Sequence, residues 1–202
     1  LSACASHDMR PELERGMSKT PATQFAEAKT IEEIRALKPQ AYFPLKVVVM
    51  PSTRWGTFNL EERRLIESWG PELKTIGFAR TFDIVPTSLQ PACGYGAEQD
   101  CFLKQSRMAG ARMGADAILF LNDSTATDQY VNPLSIFNIS IIGMWFVPAH
   151  HRDSYSLYEA SLFDINNSYL YAVAEGSGEY KTVRPFMYVE NNTGQDQAKM
   201  AA

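Results

Sequence analysis

Arg112-Met113-Gly114-Ala115-Asp116-Ala117-Ile118-Leu119-Phe120-Leu121-Asn122 decides how the rest of the chain is read. A helical pattern beginning near Phe102 ends at Met113, and Gly114 stands where a left-handed residue closes a helix at least cost. The run from Ala115 to Asn122 is then almost continuously apolar, as a buried strand is. A helix passing straight into a buried strand belongs to an α/β or α+β domain. Asp116, alone among apolar neighbours, is expected to satisfy backbone amides at the helix-to-strand junction rather than to act as a poised catalytic carboxylate.

Upstream of this stretch, Leu45-Lys46-Val47-Val48-Val49-Met50-Pro51 is β-branched, continuous and stopped by proline, which suits a central strand covered on both faces. Asn59 is expected to cap a helix with Glu61 and Glu62 in its first turn and Leu65, Ile66, Trp69, Leu73 and Ile76 along one face. Gly70-Pro71 should kink that helix and Gly77 should end it. Residues 78–86 alternate apolar and polar as far as Ile84, the pattern of a half-buried strand. Earlier still, Thr30 and Glu33 have the spacing of a capping box, and Ile31, Ile34 and Leu37 give the short helix after it one apolar face.

Downstream, residues 123–132 are polar and read as a turn. Residues 134–147 are rich in Ile, Phe and Trp without a helical stripe and read as strand. Residues 155–165 and 168–179 read as two strands joined at Asn166-Asn167, a pair that tolerates positive φ in a tight hairpin. Together these give an α/β (or α+β) fold: a single domain with a mixed β-sheet, flanking helices and a C-terminal β-hairpin. Its expected limits are 29–183, after a tether at 1–28 and before a tail at 184–202 that has the makings of a helix.

Composition excludes one class of partner. The 202 residues carry a net charge of −4, so there is no basic stripe to suit nucleic acid. No cofactor or metal is expected. His150-His151 beside Asp153 is the one metal-like group, but adjacent residues of an extended chain point to opposite faces, and a solvated loop is the simpler reading. Nucleophilic catalysis needs an activated Ser or Cys beside a base. The chain has neither a Gly-x-Ser-x-Gly elbow nor a Gly-rich phosphate loop.

Three cysteines are an odd number, so in an exported protein one of them needs its own account. Leu1-Ser2-Ala3-Cys4 resembles a bacterial lipobox, which implies that Cys4 is acylated, with palmitate among the chains, and that residues 5–23 form a polar tether. Ala5 and Ser6 lack the aspartate that retains many such proteins in the inner membrane, which implies the outer membrane and its periplasmic face. In that oxidising compartment Cys93 and Cys101, flanking a Gly-containing loop, read as a disulfide; a metal site is the rival reading, with few ligands to support it.

In order, the lipobox, tether, Leu45-Lys46-Val47-Val48-Val49 strand, Arg112-Met113-Gly114-Ala115-Asp116-Ala117-Ile118, Ile142-Gly143-Met144-Trp145-Phe146-Val147-Pro148 and Glu159-Ala160-Ser161-Leu162-Phe163-Asp164-Ile165 resemble the rhombotail-type bacterial lipoproteins. That family is named for a C-terminal sorting tail, and the Gly-rich tail with an apolar helix is not visible in these residues. More remotely the arrangement looks like the periplasmic α/β domains of the curli-secretion lipoprotein and the TolB N-terminal region. These resemblances imply a scaffold or assembly role, without catalysis, toward an envelope protein or a second copy. Trp145, Phe146, Tyr155, Tyr158, Tyr169 and Tyr171 concentrate aromatic surface on the late strands and are the candidate interaction surface. The other reading of the same aromatics is sheet core. A different functional class stays open beside scaffolding: an envelope ligand-binding or hydrolytic protein, its site built from the loops after the strands.

Overall fold

The computed structural model describes residues 30–52, 56–91, 93, 100–131 and 148–185. Helix α1 (Ile31–Ala36) begins at the predicted capping box: the Thr30 hydroxyl accepts from the Glu33 amide, and the Glu33 carboxylate accepts from the Thr30 amide. Asn59 and Glu62 do the same for α2 (Leu60–Thr75), with both bonds at 2.8 Å. This helix continues through Pro71 to Thr75, and Gly77 ends it with φ 73°. Helix α3 (Asp100–Arg112) ends the same way, at Gly114 with φ 67°. Both glycines occupy the left-handed region that a Cβ makes costly.

Five strands, β1 (Leu45–Pro51), β2 (Ala79–Ile84), β3 (Ala117–Val131), β4 (Pro148–Asp164) and β5 (Leu170–Pro185), form one mixed sheet in the order β2-β1-β3-β4-β5. Strand β1 runs parallel to both neighbours, with Val47 opposite Phe82 on one side and Ala117 on the other. Each of these parallel connections contains a helix. Right-handed crossovers leading to opposite sides of β1 require α2 and α3 to lie on opposite faces.

The packing follows that rule. Val48, Met50, Ile118 and Phe120 meet Leu103 and Ala109 of α3, together with Phe163 and Ile165. The alternate residues Val49 and Leu121 meet Ile66 of α2, and Leu45, Val47, Ala117 and Leu162 form a cluster with Leu73 beside it. Strand β1 is thus covered on both faces, which is why its sequence is a continuous apolar run instead of an alternating one.

Contacts divide the chain into two compact units. Of the described residues, the first holds 123–131, 148–158 and 175–185; the second holds 30–52, 56–91, 93, 100–122 and 159–174, and with them the helices and the parallel strands. Within the first unit, Thr125 pairs with Ser156 at 3.0 Å and Thr127 with Ser154 at 3.1 Å. One number rises as the other falls, so β3 and β4 are antiparallel there.

Three expectations are corrected. Residues 123–131 are not a turn but the continuation of β3, because threonine has strand propensity and its hydroxyls find serine partners across the ladder. His150 and His151 lie in β4 rather than in a loop. The β4–β5 hairpin turns over residues 165–169, and its positive φ falls on Ser168 (60°), not on the asparagines. Asn167 instead accepts from the Tyr169 amide at 3.0 Å, the Asx-turn alternative open to asparagine. The strand expected at 134–147 and the tail beyond 185 lie outside the described residues.

Candidate interaction surface

The second unit is fastened by a buried carboxylate at the end of β4. Asp164 is 0% exposed. Its Oδ2 accepts from the Gln40 amide (2.9 Å), the Ala41 amide (3.2 Å) and the Tyr171 hydroxyl (2.7 Å), while its Oδ1 accepts from the Asn166 amide (2.8 Å). The segment between α1 and β1 is thereby tied to the hairpin, although Gln40 lies 124 residues away in sequence. Asn167 adds a bond from its amide to the Lys38 carbonyl (2.7 Å), and Tyr171 meets both backbone groups of Ala41. From the other side Arg107 of α3 donates Nε to the Ile165 carbonyl at 2.6 Å and Nη2 to the Asn166 carbonyl.

This geometry sets the ionisation of the pair. Burial alone pushes Asp164 up, but the hydrogen bonds from Tyr171, Gln40, Asn166 and Ala41 outweigh it and hold the carboxyl below the ordinary aspartate value. Burial first, and then the Asp164 carboxylate, push the Tyr171 hydroxyl up to about 12. Asp164 is an ionised acceptor and Tyr171 a neutral donor at any ordinary pH. The arrangement joins segments; it does not hold a group poised to react.

Asp116 behaves as its position suggested: Oδ2 accepts from the Lys46 amide (2.9 Å), and its own amide donates to the Lys46 carbonyl (2.8 Å). Among the described residues no three His, Cys, Asp or Glu side chains gather where they could hold a metal ion. No described helix is long and apolar enough to cross a membrane.

Of the six aromatics of the expected surface, four are described, Tyr155 and Tyr158 in the first unit and Tyr169 and Tyr171 in the second. Trp145 and Phe146 lie outside the described residues. Tyr171 is half-buried and committed to Asp164 and Ala41, with Tyr169 edge-on to it at 5.4 Å. Tyr155 belongs to the first unit, with Lys181 Nζ 5.9 Å from its ring centre and Glu179 ion-paired to that lysine. Burial, then the Glu179 carboxylate, raise the Tyr155 hydroxyl above its usual value. Tyr158 is half-buried.

Sequence reasoning missed a different surface in the second unit. Ile31 and Ile34, the apolar face expected of α1, are exposed, and so are Tyr42, Phe43 and Ile76. Phe43 packs on Phe78 (5.3 Å) and on Tyr171 (6.0 Å), so the exposed ring stands on a supported base. The sequence announces the face, since Ile31 and Ile34 recur at helical spacing, but only the structure shows that α1 buries none of its residues.

Cys93 and Cys101 form a disulfide with Cα atoms 6.1 Å apart, tying the connection that follows β2 to the first turn of α3. Closing a loop of this separation, 8 residues, contributes about 2 to 3 kcal/mol in the loop-entropy picture. Alkylation of unreduced protein is expected to leave both sulfurs unmodified, and mild reduction should open the loop well before the sheet melts. Mass spectrometry reads both outcomes; two alkylated cysteines without reductant would refute the pairing.

No family model matches the chain, and no curated protein matches it either.

Proposed function

We propose that the chain is a non-enzymatic envelope lipoprotein of the rhombotail type, held at the periplasmic face of a bacterial outer membrane by acyl groups on Cys4 and working as a scaffold or assembly protein. One observation carries the reading. In the second unit the side chains of Asp116, Asp164 and Arg107 are tied to backbone groups, while Ile31, Ile34, Tyr42, Phe43 and Ile76 stand exposed. Such a surface suits contact rather than reaction. The Cys93–Cys101 disulfide supports an oxidising compartment. Several acyl chains, at about 0.8 kcal/mol per buried methylene, would make the anchor durable.

Cys4→Ser is the test. Expressed behind a lipoprotein export signal in a Gram-negative host, the parent should fractionate with outer membranes and the variant with the soluble periplasm. Label from a palmitate analogue should appear only in the parent. A variant that stays in the membrane fraction, or a parent that takes up no label, sinks the anchor.

A further inference from the structure

Among the exposed apolar residues of the second unit, those of α1, of residues 42–43, of the α2 C-terminus and of β5 lie near the end where β1 and β2 begin and β4 turns into β5, whereas Leu60, Leu65 and Met108 stand elsewhere on α2 and α3. The Asp164 and Asn167 bonds to residues 38–41 hold α1 and Tyr42 close to either side of one fixed segment. Tyr42 is 81% exposed, Ile31 65% and Ile76 68%. Phe43 and Phe78 join them through ring contact, Ile76 stands two residues before Phe78, and Val173 lies on the same face of β5 as Tyr171.

We propose that this end of the unit, with Ile31, Ile34, Tyr42 and Phe43 at its centre, docks on the surface of a lipid bilayer. The inference rests on the anchored reading above. Residues 1–29 lead from Cys4 directly into α1, so the exposed residues are the first part of the described fold that follows the anchor. A tether turns docking into an intramolecular event at high effective concentration, so a patch of marginal affinity suffices and the bilayer is the one surface always within reach. Tyr42 suits the headgroup boundary, where its amphipathic ring satisfies both sides, and Phe43 beside it adds apolar area. Glu32 and Glu33 alternate with the isoleucines in sequence but sit at other angles around α1, leaving Ile31 and Ile34 together at helical spacing.

The test uses the full chain carrying Cys4→Ser, so that no acyl group contributes, mixed with vesicles of phosphatidylethanolamine and phosphatidylglycerol. Sedimentation should show lipid-dependent binding that falls about tenfold on adding Tyr42→Asp or Ile31→Asp, exposed positions, with folding checked by an unchanged urea midpoint. Vesicle binding unchanged by either substitution overturns the proposal. So does no binding at all, and that result leaves the anchor reading standing, since the anchor is read by fractionation. A Cys4→Ser chain that ignores vesicles but self-associates, and turns monomeric with Tyr42→Asp, assigns the patch to a second copy instead.

Discussion

Asp164→Ala should lower the stability of the fold by about 3 to 5 kcal/mol, the order expected when several hydrogen bonds to one buried charged acceptor are lost together. Its four hydrogen bonds are not replaced by anything the alanine offers. The amides of Gln40, Ala41 and Asn166 and the Tyr171 hydroxyl lose a charged acceptor, each such bond contributing roughly 1.5 to 3 kcal/mol. Water reaching the more exposed donors recovers part of this, so the sum of the single terms is not expected. Asp164→Asn keeps the shape but turns an NH2 toward donors, and should cost about 2 kcal/mol. Urea denaturation followed by tryptophan fluorescence measures both, and a loss under about 1 kcal/mol for alanine would show that the clamp matters little.

The same pair gives stability a pH dependence at both extremes. The folded pKa of Asp164 is depressed, so its contribution is complete above the unfolded value of 3.8 and is lost as pH falls through the lower folded value. The folded pKa of Tyr171 is raised, so its contribution is complete below 10.0 and is lost as pH rises from there toward about 12. Asp164→Asn should flatten the acid limb. Tyr171→Phe should flatten the alkaline one.

How much of this was legible in one chain depended on how far each partner lay. The caps at Thr30 and Asn59, the helix ends at Gly77 and Gly114, and the strand at Val47-Val48-Val49 rest on neighbours within a few positions, and their sequence patterns predict them. The continuation of β3 past Asp123 was hidden because Thr125 and Thr127 become strand only through serines 31 and 27 residues on. Asp164 was visible only as part of a familiar-looking string. An aspartate at the end of the apolar run Leu162-Phe163, with no basic residue near in sequence, had to find several donors if buried, but Gln40 and Ala41 could not be named as those donors without the fold. The exposed apolar end escaped notice for the converse reason. Periodicity in α1 announces a face, and says nothing about whether anything covers it.

Gly110→Val should cost about 3 kcal/mol, because α3 lies so close to Ile165 and Val48 that a branched side chain at this position has no room. A Cβ built at Gly110 would stand 2.6 Å from Ile165 Cδ1 and 3.3 Å from Val48 Cγ2, both in the cluster that α3 buries. The Ile165 backbone cannot easily retreat: its amide donates to the Asp116 carbonyl at 3.1 Å and its carbonyl accepts from Arg107 Nε at 2.6 Å. Only the outer carbon of its side chain is free to swing. Gly110→Ala sets that swing against the roughly 1 kcal/mol that alanine gains over glycine inside a helix, and should come out near neutral or slightly destabilising. Valine adds two methyl groups and a β-branch, which the swing does not accommodate. Combining Ile165→Val with Gly110→Ala removes the very carbon in conflict, so the double variant should be more stable than the sum of its singles implies, by about 1 kcal/mol. Strict additivity in that cycle, or a valine variant as stable as the parent, would mean that α3 does not seat on Ile165.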